Sequence, residues 1–220
     1  LIRPETAYVV PHAMTLAEIA EVVGQFRTGA ANAQAAGFDG VELHGANGYL
    51  LDQFLQDGSN TRTDEYGGSV ANRARLLLEC TDAAISAWGA GRVGVHLSPR
   101  GDAHDMRDSD RLATFTHVAK ALGQRGIAFI CAREHTGEGR IGPQLKAAFG
   151  GTWIANEKFD LASGNAAIAA GEADAVAYGK LFIANPDLPR RFRDAAALNA
   201  PDFTSFYGQG PKGYTDYASL

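Results

Sequence analysis

Of its 220 residues the chain spends only two on cysteine, Cys80 and Cys131. They lie far apart, and neither stands in a CxxC or Cys/His spacing that would suggest zinc. Both read as reduced, buried thiols, since cysteine packs as a small hydrophobe. His104, His117 and His135 have no ligand-like spacing either, so no metal site is expected. No apolar run approaches the roughly 18 residues a membrane span needs. The N-terminal stretch LIRPETAYVVPHAM lacks the basic, apolar and small-residue sections of a signal peptide. A cytoplasmic location without membrane contact is the expectation. Positive charge is not in excess: the net charge is −5, which argues against non-specific nucleic-acid binding. Low-complexity segments, charge blocks and repeats beyond the βα unit are missing as well. The chain also begins without methionine, which suggests that an N-terminal portion is absent.

What remains is ordinary for a globular α/β domain, with 45% hydrophobic and 20% charged residues. Leu16, Ile19, Ala20, Val23, Phe26 and Ala30 recur at helical spacing over 15–36, with Thr15 and Glu18 forming a capping box and Gly37 ending the helix. Residues 38–44 read as a short buried strand. The alternation continues with helices over 70–88, 110–124, 143–149, 160–170 and 186–197. Strands are expected over 92–97, 126–132, 151–155 and 174–178. Short apolar strands between amphipathic helices imply a parallel sheet, because each crossover helix must cover a sheet face.

A doubly wound open sheet would carry a glycine fingerprint after its first strand, and HGANGY is not GxGxxG. Polar residues instead mark the C-terminal ends of several strands: His44 and Asn47, His96 and Ser98, Arg133, Asn156, Lys180. That is how a (β/α)8 TIM barrel builds its active site. Five βα units are too few to close such a barrel, which takes about 250 residues. The reading is therefore about strands 4–8 of one barrel domain spanning 1–220, with strands 1–3 missing.

His44-Gly45-Ala46-Asn47-Gly48-Tyr49 is the most informative stretch. Histidine and asparagine converging on one oxygen would polarise a carbonyl or nitro group as an oxyanion hole does, and Tyr49 carries a phenolic proton to deliver. The alternative is a loop whose polar groups only satisfy backbone. The polar loop 60–69 opening a helix reads as pinned by an ion pair such as Asp64 or Glu65 with Arg73. Ala155-Asn156-Glu157-Lys158 and Tyr178-Gly179-Lys180 end successive strands and suit either a phosphate cradle or an ordinary capped turn. Glu157 is an awkward neighbour for phosphate unless its side chain turns away. His96 faces the interior or the rim, and a satisfied core histidine is the other reading.

GFDGVELHGANGYLLDQFL (37–55) and NTRTDEYGGSVANRARLLLE (60–79) resemble the signature of the old yellow enzyme family. RVGVHLSPRGDAHD, FIANPDLPRRF and SFYGQGPKGYTDYASL agree with it in the same order. Bacterial xenobiotic reductases and nitrate-ester reductases look most similar. The resemblance implies an eight-stranded barrel carrying FMN, reduced by NADPH or NADH, that passes hydride to the β-carbon of an activated alkene while a tyrosine protonates the α-carbon. It implies that His44 and Asn47 bind the substrate's activating group and that Tyr49 is the proton donor. Backbone N–H groups at Glu157, Lys158, Gly179 and Lys180 match the phosphate cradle, and Phe206 and Tyr207 match an aromatic pair near the flavin's outer edge. His96 and Lys180 stand where the family usually has arginine, and Glu157 where small residues are usual. A nitrate-ester or nitroaromatic reductase, or an inactive fragment, remain as alternatives. Family members have a further N-terminal portion supplying three strands, so a complementing polypeptide is the expected partner.

Overall fold

The computed structural model describes residues 9–101 and 103–220. Residues 1–8 of the stretch read for a signal peptide, and Asp102 of the RVGVHLSPRGDAHD motif, lie outside these. Two compact units are present. Met14–Val176 forms the larger, and 177–220 with 9–13 the smaller.

The larger unit opens with α1 (Leu16–Ala35), capped as expected: Thr15 Oγ1 accepts from Glu18 N, and Glu18 returns a carboxylate to Thr15 N at 2.7 Å. Then follow β1 (Val41–Gly45), α2 (Leu50–Leu55), α3 (Val70–Trp88), β2 (Val93–Leu97), α4 (Arg111–Arg125), β3 (Phe129–Arg133), α5 (Gly142–Phe149), β4 (Thr152–Asn156), α6 (Leu161–Ala169) and β5 (Ala175–Ala177). Three further helices start on side-chain caps, Ser69 for α3, Asp110 for α4 and Asp160 for α6. The five strands form one sheet in sequence order, and the paired ladders from β1 to β4 are parallel.

The register divides the strands into two faces. Leu43, Val93, Val95, Leu97, Ile130, Ala132 and Trp153 are buried, as are Leu76, Leu77 and Cys80 of α3, which packs on β1 and β2, and Phe115, Val118 and Leu122 of α4, which packs between α3 and α5. Burial of this face supplies the main driving force at roughly 25 cal/mol per Å² of apolar area. The opposite face carries Glu42 and His44, Gly94 and His96, Phe129, Cys131 and Arg133, in pairs set by the register His44 to His96 to Cys131. Gly94 is required there: a Cβ would lie 2.3 Å from the Phe129 ring. Both cysteines are free and buried.

Three sequence expectations need correction. The strands start one to three residues later than read, because Phe38 and the 3₁₀ turn Ala90–Arg92 belong to the approaches rather than the ladder. The helix expected over 186–197 is short, α8 (Leu188–Arg193), with an unforeseen α7 (Lys180–Ala184) before it. Asn185 stands between them, its amide taken by Leu181 O and by Asn199. The loop 60–69 is not pinned by Asp64 or Glu65 with Arg73. Asp64 turns back to Arg62 at 3.0 Å. Arg73 is buried and reaches Leu55 O, Gly68 O, Thr114 and Asp108.

Candidate active site

The turn after β1 is built around a buried carboxylate that sequence reasoning missed. Asp52, on the first turn of α2, is fully buried and accepts from Gly48 N at 2.9 Å, Gln56 Nε2 at 2.7 Å and Ser98 Oγ at 3.1 Å. Ser98 Oγ in turn accepts from Asn47 N at 2.7 Å. These bonds hold Asn47 in the left-handed region, φ 59°, followed by Gly48 at φ 75°. Gly48 is needed there for space as well, since a Cβ would lie 2.9 Å from Ala103 O. Burial pushes the Asp52 carboxyl above its ordinary range, against the lowering by its hydrogen bonds.

On this support the polar rings gather. The His44 ring lies 5.6 Å from Tyr49 and 5.3 Å from His96, and Tyr49 lies 5.5 Å from His104. Tyr49 remains 45% exposed, so its hydroxyl end is not locked into a core. Asn47 Oδ1 accepts from Arg133 Nη1 at 2.8 Å. Arg133 closes on Glu157 through Nε at 2.6 Å and Nη2 at 3.1 Å. The Glu157 carboxylate is thus turned toward Arg133, the condition under which its turn can offer backbone N–H groups to an anion.

His96 is not a satisfied core histidine. Its Nε2 is buried without a partner, and its Nδ1 stands 3.6 Å from Glu42, beyond hydrogen-bond reach. Burial first, then the electrostatic influence of the neighbouring His44 and Arg133, pushes its imidazole down to about 4, so the ring is neutral at pH 7. It can donate one hydrogen bond but carries no fixed charge.

Among the described residues, seven non-glycine residues have positive φ. Four of them are Asn47, Glu157, Lys158 and Tyr207. Such backbone costs of order 1–3 kcal/mol each and concentrates at functional sites. In the smaller unit, Gly179 precedes α7 and Lys180 is its first residue, with Nζ 5.7 Å from the Phe203 ring. Phe206 and Tyr207 meet edge to face at 6.5 Å, and Tyr207 is 66% exposed.

A groove of about 410 Å³ runs along the edge strand β1, lined by Val22, Gln25 and Phe26 of α1 and by Val41, Glu42 and His44. Among the described residues no helix is long and apolar enough to cross a membrane.

Residues 2–199 match the profile of the NADH:flavin oxidoreductase / NADH oxidase family. A putative 12-oxophytodienoate reductase 12 of Oryza sativa subsp. japonica is 47% identical, over 97% of this chain and 56% of its own length. The 12-oxophytodienoate reductase 2 of Arabidopsis thaliana is 43% identical, over 98% of this chain and 60% of its own. Morphinone reductase superposes with a TM-score of 0.92 at 41% identity, covering 96% of this chain and 59% of that one. An old yellow enzyme homologue from Zymomonas mobilis superposes at 0.96 and 39% identity, covering 100% and 64%. The chain therefore spans somewhat over half the length of these curated relatives. Its five-stranded parallel sheet is part of a TIM barrel of the old yellow enzyme kind.

Proposed function

Because the chain belongs to the NADH:flavin oxidoreductase / NADH oxidase family, we propose that the protein is an FMN-dependent ene-reductase that draws on NADPH or NADH to reduce the C=C bond of activated alkenes such as enones. The observation that carries this reading is the end of β1 with the turn after it. There His44, Asn47 and Tyr49 occupy one short segment, held by the buried Asp52–Ser98 pair and steered by Arg133. His44 and the Asn47 amide would hold the substrate's activating oxygen, drawing electron density from the alkene. Tyr49, exposed beside His44, would hold the proton that the α-carbon takes. Neither role needs a metal.

FMN, when bound, supplies the hydride chemistry. The residues present fit it. His96 Nε2 is an orphaned buried nitrogen on the sheet face shared with His44. The turn at Glu157 and Lys158 is left-handed, with its carboxylate drawn aside. We assign His96 to the flavin ring, Glu157, Lys158, Gly179 and Lys180 to the phosphate, and Tyr207 to the outer edge. As a neutral ring His96 would offer a hydrogen bond where a guanidinium would offer charge.

The substrate is a small molecule. The same donors would hold a nitro oxygen, so nitrate-ester and nitroaromatic reduction, of the xenobiotic-reductase type, belongs to the same proposal. Among the described residues β1 is a sheet edge with a groove beside it, and we assign that edge to a complementing N-terminal portion of the barrel. Free, buried cysteines suit a reducing cytoplasm.

The test is the absorbance spectrum of the protein purified together with the complementing N-terminal portion of its barrel, followed by turnover of cyclohexenone and glycerol trinitrate with NADPH and NADH. A flavin spectrum with enone turnover is expected. A flavin-free protein, or one that binds flavin and turns over neither compound, would overturn the reading.

A further inference from the structure

Arg133 ends β3 beside the turn that carries Asn47, and it touches that residue in only one way. Its Nη1 donates to Asn47 Oδ1 at 2.8 Å, while Nε and Nη2 fork onto the two oxygens of Glu157 at 2.6 and 3.1 Å. A carboxamide has a donor end and an acceptor end of nearly equal shape, and an unconstrained asparagine can present either. A guanidinium has five donors and no acceptor. With Arg133 in place, the atom facing it has to be the carbonyl oxygen, and the NH₂ group has to face elsewhere. The fork onto Glu157 fixes the plane of the guanidinium, so Nη1 is not free to swing off Asn47. Glu157 sits at φ 90°, a costly backbone for a residue with a side chain, and it spends its carboxylate on this clamp.

We infer that Arg133, clamped by Glu157, is a positioning residue that locks the Asn47 amide with its N–H donors toward the substrate's activating oxygen, and that the pair thereby sets the site's affinity for that oxygen. The inference rests on the proposed function, in which Asn47 holds that oxygen. It also accounts for an acidic residue at position 157: the glutamate is the counter-ion that aims the arginine. Lysine could not replace Arg133, because one ammonium has no planar fork to span Asn47 and Glu157 at a fixed angle.

The test uses the FMN-loaded protein and phenol as the probe, titrated by the change in flavin absorbance. Arg133→Met releases Oδ1, so the amide can turn its oxygen toward the ligand oxygen. The phenol dissociation constant should rise about tenfold, one hydrogen bond's equivalent. For cyclohexenone the loss should appear in KM and in the rate of flavin reoxidation together, because the same donor meets the oxygen on which charge develops. The decisive comparison is a double-mutant cycle with Asn47→Ala. If Arg133 acts through Asn47, removing Asn47 should cost several-fold in the parent and almost nothing in the Arg133→Met background. Arg133→Lys should resemble Arg133→Met. Where the lone Glu157 carboxylate left by Arg133→Met prevents FMN loading, Arg133→Met with Glu157→Gln removes that charge and permits the same cycle. Equal Asn47→Ala effects in both backgrounds, or wild-type phenol affinity in Arg133→Met, would overturn the inference while leaving the proposed function standing. Loss of phenol binding in neither Asn47→Ala nor His44→Ala would instead remove the proposed site, and the inference with it.

Discussion

Replacing Asp52 tests whether the turn that carries His44, Asn47 and Tyr49 is held from beneath. Asp52→Ala leaves three donors, Gly48 N–H, Gln56 Nε2 and Ser98 Oγ, without their acceptor in a fully buried place. Each unsatisfied buried donor costs about 1–3 kcal/mol. The loss is partly offset because a desolvated carboxylate also disappears, so a net cost of about 3–4 kcal/mol is expected. Asp52→Asn keeps one oxygen for Gly48 and Ser98, and Gln56 can turn its own amide to meet the new NH₂. That variant should cost only about 1–2 kcal/mol. The two also differ in pH dependence. The native state holds the Asp52 carboxyl above its ordinary range, so between the ordinary and raised values the native state binds more protons than the unfolded one. Stability from this group is then fully present below the ordinary carboxylate value and falls as pH rises through the raised one. Asp52→Asn lacks that decline, so its penalty should be largest in acid and shrink toward neutrality. Urea unfolding at several pH values measures both effects. Equal penalties for alanine and asparagine, or an alanine penalty under about 1 kcal/mol, would refute the account of Asp52 as the keystone acceptor.

Tyr49→Phe should slow enone turnover about 10²–10⁴-fold, with flavin reduction by the nicotinamide nearly unchanged. Stopped-flow measurement of the two half-reactions checks it, and an unaffected oxidative step counts against Tyr49 as proton donor. His96 is neutral in the native state and has an imidazole lowered to about 4 by burial, so its contribution is complete above about pH 6.5 and is lost as pH falls toward 4, by roughly 3 kcal/mol. His96→Gln should flatten that part of the stability profile, read by denaturant titration. Gly94→Ala should destabilise by about 1–3 kcal/mol, because its methyl would meet the Phe129 ring across β2 and β3. A melting temperature equal to the parent's would show that the ring moves freely.

Much of the architecture could be read from local rules. Thr15 with Glu18 and Ser69 are capping residues whose chemistry acts within three positions, and both cap helices. The apolar face of the strands follows from an alternation of two. Where the reading failed, the deciding partner lay far away in sequence. Arg73 was paired with a neighbour in its own loop, yet its guanidinium reaches Thr114, 41 positions on. The short helices α2 and α7 have too few turns to generate a periodic pattern, and α2 starts directly after the motif HGANGY.

The site divides along the same line. His44, Asn47 and Tyr49 could be named because they fall within six consecutive residues at the end of a strand. Asp52 carries no signal of its own in the sequence. Only its distance to Ser98, 46 positions away, turns it into the acceptor on which that segment hangs. Arg133 marked the end of a strand and nothing else until the parallel register brought β3 beside β2 and its side chain to Asn47, 86 positions earlier. Glu157 read as a misfit when judged against an anion alone. Judged against Arg133 it is a counter-ion, and the residue that looked least suited to the turn becomes the one that aims the arginine at Asn47.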